Sequence, residues 1–185
     1  MKNVLLGNEI EKMPGFAFRI MKLFFRVYYF VKPAGKYLKK FGIIPGSTVV
    51  DYGCGPGAFI KGASSMVGEK GKVYAVDVHE MAIASIEKLK NRYNLTNVIP
   101  VLADGNKSQI ADNTADLIYA LDMFHMVKEP SQFLKEINRI TRPDGVLIIE
   151  DGHQPRSLAR EKIMNSGSWK IIEEEKRFLK CLPVK

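Results

Sequence analysis

The chain has little of what staples small proteins together. Only two cysteines occur in 185 residues, Cys54 and Cys181, far apart and without metal-ligand spacing. That excludes a disulfide framework and a zinc site, so no metal is expected, and it points to a reducing compartment. Long apolar runs are also missing. The most apolar stretch, Phe16 to Val31, is broken by Arg19, Lys22 and Arg26 and falls short of the roughly 20 residues a membrane span needs. No secretory signal is readable after Met1, so a cytoplasmic protein is expected. Repeats, low-complexity tracts and linkers are absent, which leaves one domain of ordinary size.

Acidic residues are scarce at one end. Before Gly42, nine lysines and arginines face only Glu9 and Glu11, which accounts for nearly all of the net charge of +8. Two units follow: a helical extension over residues 1–41 and a balanced domain over 42–185. In the extension, Phe16, Ile20, Leu23, Phe24, Val27 and Val31 fall on one helical face, and Arg19, Lys22 and Arg26 on another. Pro33 ends that helix, and a second short helix fits Ala34 to Phe41. A basic face suits peripheral contact with a membrane surface. It also suits phosphates, but no RNA-binding module is recognisable, which argues against nucleic acid.

After Pro45-Gly46 the pattern changes. Apolar runs at Thr48–Asp51, Lys72–Asp77, Val98–Leu102, Ala115–Leu121 and Val146–Glu150 alternate with helical stretches at Ala58–Val67, Glu80–Tyr93 and Pro130–Thr141. Continuous apolar strands in such alternation predict a parallel sheet covered on both faces. Pro143-Asp144-Gly145 reads as a turn, Ser157–Asn165 as a helix, and Trp169–Glu173 and Phe178–Pro183 as an antiparallel pair.

The loop after the first strand, "VVDYGCGPGAF", carries Gly53, Gly55 and Gly57, whose missing side chains let a ligand reach the backbone. In a doubly wound sheet that loop lies where ligands bind. Gly53, Gly55 and Ala58 also satisfy a dinucleotide pattern, with Asp77 at the distance of a ribose acid, so an NAD-dependent oxidoreductase is one reading. Asp51 at the mouth of the loop opposes it, because a carboxylate there repels a pyrophosphate and suits an ammonium or sulfonium. Asp77 and Asp104 end the next two strands, each with a plain alternative: a helix N-cap for Asp77 and an Asp-Gly turn for Asp104.

Five motifs in order, "VVDYGCGPG", "VYAVDVHEMAI", "ADG", "ADLIYALDMFHMV" and "RPDGVLIIED", together with the closing strand pair, resemble the class I S-adenosylmethionine-dependent methyltransferases of the small-molecule type. The resemblance implies a Rossmann-like, doubly wound α/β sheet of seven strands, mostly parallel with a reversed C-terminal strand, plus N-terminal helices. It implies a donor site from Asp51, Gly53, Gly55, Gly57, Asp77, Val78, Ala103, Asp104, Gly105 and Ala120. Asp77 would accept the ribose hydroxyls, Val78 would lie against the adenine, and Asp104 would accept from its amino group. His79 stands there as a loop residue. The Ala120 carbonyl would meet the methionyl ammonium. Tyr28, Tyr29 and Asp122 would shape the acceptor pocket, with the extension as cover, and His125 is the candidate general base. The alternative for His125 is a packed structural histidine. No DPPY-like motif follows the fourth strand, where "ALDM" stands, which argues against methylation of nucleobase amines. The implied acceptor is an apolar or aromatic small molecule. A non-catalytic membrane or partner-binding module of the same fold is the remaining reading.

Overall fold

The computed structural model describes residues 34–185. The expected first helix, with Tyr28 and Tyr29 and most of the basic arm, lies outside them. The described chain opens with helix α1 (Ala34–Leu38), which tightens into a 3₁₀ turn over Lys39–Phe41 and stops at Gly42 in the left-handed region, φ 74°. Leu38 and Phe41 are buried, as their spacing predicts. There follow β1 (Thr48–Tyr52), α2 (Ile60–Val67), β2 (Lys72–Asp77), α3 (Glu80–Tyr93), β3 (Val98–Leu102), β4 (Ala115–Ala120), α4 (Pro130–Ile140), β5 (Thr141–Glu150), α5 (Arg156–Asn165), β6 (Trp169–Glu174) and β7 (Phe178–Pro183).

The seven strands form one sheet in the order β3-β2-β1-β4-β5-β7-β6. β1 to β5 run parallel, and β7 enters antiparallel between β5 and β6. The chain winds outward from β1 in one direction and then from β4 in the other, so the switch point lies between those two strands. Both faces are covered. Val50, Tyr52, Ile118 and Ala120 pack beneath α4 and α5. Val49, Tyr119 and Ile148 pack on the opposite side beneath α1 and α2. Alternation along the central strands β1 and β4 therefore buries nearly every residue, which is why they read as unbroken apolar runs.

Two local departures have clear causes. α2 starts at Ile60, not Ala58, because the glycine loop runs on through turns up to Phe59. The expected Pro143-Asp144-Gly145 turn is a bulge inside a longer β5. Ala115 pairs with Thr141 and Leu117 with Val146, so the intervening residues arch out of the ladder. Gly145 closes that arch, since a Cβ there would stand 2.6 Å from Thr141 Cγ2 and 2.9 Å from the Ala115 carbonyl oxygen.

A part-buried ion pair pins the loop after β3 to α4. The Glu136 carboxylate accepts from Ser108 N and Oγ, both at 2.9 Å, and from Arg139 Nε at 2.8 Å. Burial pushes its pKa up, but Arg139 and Ser108 more than offset this and hold it below the usual value. A depressed folded-state pKa stabilises the protein above the unfolded value of about 4.3, and that stability is lost as pH falls through the folded value. Glu136→Gln should therefore lower the unfolding free energy by about 1–1.5 kcal/mol at neutral pH. The difference should shrink once pH falls below about 4, toward the folded-state value. Urea unfolding at both pH values, read through Trp169, checks it.

Candidate functional site

The loop between β1 and α2 is set by its glycines. Gly53 N and Cys54 N both donate to the Val76 carbonyl, at 2.8 and 3.0 Å, which folds the loop over the end of β2. Gly53, Gly55 and Gly57 have φ of 81°, 49° and 88°, a region costly for residues with a Cβ. Their freedom serves the protein as much as a ligand. A Cβ on Gly53 would stand 2.9 Å from Met123 Cγ, and one on Gly57 would stand 2.5 Å from Leu89 Cδ1. Thus Gly53 lets the segment after β4 close against the loop, and Gly57 lets α3 pack under it. Cys54 is buried, and burial pushes its thiol well up, so it serves as a small packing residue and not as a thiolate.

Asp77, the last residue of β2, joins two loops. Its Oδ2 accepts from Gly55 N at 2.8 Å and its Oδ1 from His79 N at 2.9 Å. Burial raises its pKa, and the two amides act against that rise. Each carboxylate oxygen keeps lone-pair capacity for a further donor, such as a diol. The cap of α3 is not Asp77 but His79, whose Nδ1 accepts from Met81 N at 3.1 Å. His79 is thereby a capping residue, not a loose loop histidine.

Asp51 differs most from expectation. It does not stand at the loop's mouth but sits in β1 beneath the loop, 2% exposed, opposite Ala75 on one side and Tyr119 on the other. Its Oδ2 and the Tyr119 hydroxyl are both buried with no partner of full hydrogen-bond geometry, and the two groups face each other, the hydroxyl favouring the charged acid. Burial pushes the Asp51 pKa up to about 8, against the lowering influence of the neighbouring Tyr119 hydroxyl and with a further push from Asp77. A neutral acid does not repel a pyrophosphate. The charge argument against a dinucleotide therefore weakens, and what remains is an uncompensated buried carboxyl that an arriving cation would ionise.

Ala103 and Val78 are buried side by side in the core, and Ala103 N donates to the Asp77 carbonyl at 2.9 Å, so the ends of β2 and β3 meet. Asp104 is exposed just beyond, and its backbone pairs with that of Lys107 around Gly105 at φ 57°. The Asp-Gly turn is thus realised, and it leaves the Asp104 carboxylate pointing clear of the core. Ala120 is fully buried at the end of β4, opposite Ile149.

Past β4, Asp122 takes a left-handed conformation, φ 52°, and its Oδ1 lies 3.5 Å from His153 Nε2. His125 sits in a 3₁₀ turn over Phe124–Met126, half-buried, with Nδ1 enclosed and unpartnered. Burial lowers its pKa; Asp122 opposes this, while His153 and Lys162 reinforce it. Among the described residues, no cluster of three His, Cys, Asp or Glu side chains could hold a metal ion. Sequence reasoning missed Tyr119, Met123 and the polar residues after β5. Tyr119 reads locally as one more strand residue, and only the register sets it beside Asp51.

The site thus comprises a backbone-lined loop at the switch point, a buried acid beneath it with no cation paired to it among the described residues, and acids at the ends of β2 and β3. The Methyltransf_11 family, a methyltransferase domain, matches residues 50–149. A ubiquinone/menaquinone biosynthesis C-methyltransferase, UbiE, of Shewanella oneidensis is 28% identical over 132 residues. That alignment takes in 71% of this chain and 53% of the relative, so the chain spans about half the length of the curated relatives it matches. A SAM-dependent methyltransferase from Aquifex aeolicus superposes with a TM-score of 0.75 at 29% identity, covering 93% of this chain and 98% of that one. Coclaurine N-methyltransferase, bound to N-methylheliamine and SAH, gives a TM-score of 0.57 at 28% identity over 65% of this chain and 34% of its own. With the family matched over more than half its length, on the seven-stranded sheet and switch-point loop described above, the chain belongs to the class I S-adenosylmethionine-dependent methyltransferases of the Methyltransf_11 type.

Proposed function

We propose that this chain transfers a methyl group from S-adenosylmethionine to a small acceptor that is apolar or aromatic. The observation that carries the reading is the buried Asp51 carboxyl, with the Tyr119 hydroxyl beside it and no cation paired to it among the described residues, beneath a loop whose amide Gly55 N is held by Asp77. These residues fit the donor. A cation is what such a buried acid lacks, and a ribose diol is what a carboxylate with spare lone pairs accepts. Bound there, S-adenosylmethionine supplies a methyl group already activated on a positively charged sulfur.

In this reading Asp77 holds the ribose, Val78 and Ala103 wall the adenine, and Asp104 with Gly105 receives its amino group. Gly53, Gly55 and Gly57 bring backbone close to the methionyl part, and Ala120 offers its carbonyl to the ammonium. Asp51 supplies the countercharge. Acceleration comes mainly from aligning the two partners in a dry site. His125, with its lowered pKa, is neutral at pH 7 and accepts the acceptor's proton. Asp122 borders the acceptor pocket. Residues 1–41, with Tyr28 and Tyr29, cover donor and acceptor, and their basic charge suits a membrane surface from which a lipophilic acceptor is drawn. The names of the quinone-pathway and coclaurine relatives support an aromatic acceptor. The oxidoreductase reading has no support beyond the short glycine pattern.

The test is a transfer assay with labelled methyl donor across phenols, quinols, amines and carboxylates, run on the full chain and on a chain lacking residues 1–41. Turnover on none of these classes by folded, donor-binding protein would contradict the reading and favour a non-catalytic module. Asp51 adds a prediction of its own. With a pKa near 8 in the free protein it is mostly protonated at pH 7, and a cation beside it lowers that value. Binding of S-adenosylmethionine should therefore release a proton at pH 7, and affinity should rise toward pH 8. Calorimetry in two buffers of different ionisation enthalpy measures this, and Asp51→Asn should abolish the difference.

A further inference from the structure

Buried polar side-chain atoms without a partner are costly, about 1–3 kcal/mol each, and they gather where a ligand completes them. Two of them, on Asp51 and Tyr119, lie under the glycine loop. Three more, His125 Nδ1, Asp151 Oδ1 and Gln154 Nε2, lie on the two segments that follow β4 and β5. This second group is held from several sides. The His125 and His153 rings meet edge to face with centroids 4.9 Å apart. Lys162 Nζ, reaching from α5, donates to Gln154 Oε1 at 2.7 Å and stands 5.4 Å from the centre of the Phe124 ring, next to His125 in sequence. Arg156 Nε takes Asp151 Oδ2 at 2.6 Å. Gly152, at φ 68°, leaves the space that the His125 ring fills, since a Cβ there would collide with Nδ1.

Two side chains of the group, Gln154 and Lys162, offer donors. With Oε1 taken by Lys162, Gln154 is left with an amide N–H₂ that only donates. The Lys162 ammonium beside it only donates, and each imidazole offers an N–H. Asp151, already paired with Arg156, and Asp122, beside His153, are the acids nearby. Asp151 Oδ1 is itself an acceptor without a partner, but Gln154 Nε2 and the Lys162 ammonium are donors with capacity to spare, and an oxygen is the group that suits them.

We infer that Gln154 and Lys162, with His125 and His153, form a subsite that holds an oxygen substituent of the methyl acceptor, phenolic or carboxylate, and so turns the acceptor toward the donor. The inference rests on the methyltransferase reading above. Gln154 and Lys162 are then specificity residues.

The chain has three histidines, so ring Cε1–Hε1 NMR signals can be assigned by single substitutions. The full chain, saturated with S-adenosylhomocysteine, is titrated with benzoate and separately with phenol. The subsite predicts saturable shifts of the His125 and His153 signals with at least one probe and a stationary His79 signal. The two arms tell carboxylate from phenol. Gln154→Glu keeps the shape but removes the donor, and Lys162→Met removes the charge. Each should weaken the probe at least tenfold, with Trp169 emission reporting an intact fold. No saturable shift at His125 and His153 in the wild type, or unchanged probe affinity in both variants, overturns the subsite. Calorimetry with S-adenosylhomocysteine on the same samples separates the two failures. S-adenosylhomocysteine binding without probe shifts sinks the subsite alone, and probe shifts without S-adenosylhomocysteine binding sink the donor reading alone.

Discussion

Asp77→Ala is expected to weaken binding of S-adenosylmethionine by about 1.5–3 kcal/mol, the usual worth of hydrogen bonds to a charged group. That is about 10- to 150-fold in Kd. The loss has two sources. The carboxylate that would take the ribose hydroxyls is gone, and so are the acceptors for Gly55 N and His79 N. The glycine loop then loses its tie to β2 through Gly55, although Gly53 N and Cys54 N still hold the Val76 carbonyl. Asp77→Asn should lose nearly as much, because its amide nitrogen must face one of those two N–H groups. Folding stability should change far less than binding, since burying this acid is itself unfavourable. Calorimetry for the donor and urea unfolding for the fold separate the two effects. Equal affinity in Asp77→Ala and wild type would remove Asp77 from the site.

Gly53→Ala should cost about 2–5 kcal/mol, shared between fold and donor affinity. The left-handed backbone at φ 81° contributes about 1–2 kcal/mol once a Cβ is present. The rest is overpacking, typically about 1–3 kcal/mol, because the new methyl group would stand 2.9 Å from Met123 Cγ. The methionine must move, and with it the segment after β4 that carries Asp122 and His125. Gly42→Ala is the control: its φ is 74°, but no atom lies within 4 Å of the added Cβ, so it suffers the backbone cost alone. Shortening Met123 to Ala in the Gly53→Ala protein should restore part of the donor affinity. A double-mutant cycle with no coupling between the two positions would refute this account of the loop.

The fold was legible because its signals are local. Strands buried on both faces show as unbroken apolar runs, and turns at Gly42, Gly68 and Asn94 end helices where composition suggests. The five motifs in order then placed the donor loop. What local patterns did not reveal was depth and company. Alternation gives a strand residue its face, but not how far below a loop it lies, so Asp51 was expected at the loop's mouth and is buried beneath it. Three alternating glycines suggested three bare approaches for a ligand, yet the side-chain directions of Gly53 and Gly57 are filled by Met123, Ile86 and Leu89. The capping role fell to His79 because Asp77 turns back to the loop. The donor cluster after β5 was invisible for the same reason. It joins His125 to His153, Gln154 and Lys162, residues that share no period and meet only through tertiary packing.

The most direct test of the donor site is calorimetric titration of the pure, folded full chain with S-adenosylmethionine, with NAD as the parallel ligand. The account predicts saturable binding of S-adenosylmethionine at one site, a proton released at pH 7, weakening by Asp77→Ala, and no heat with NAD. Folded protein that binds NAD, or that gives no binding heat with S-adenosylmethionine at any pH from 6 to about 8.5, above the Asp51 pKa of about 8, would contradict it.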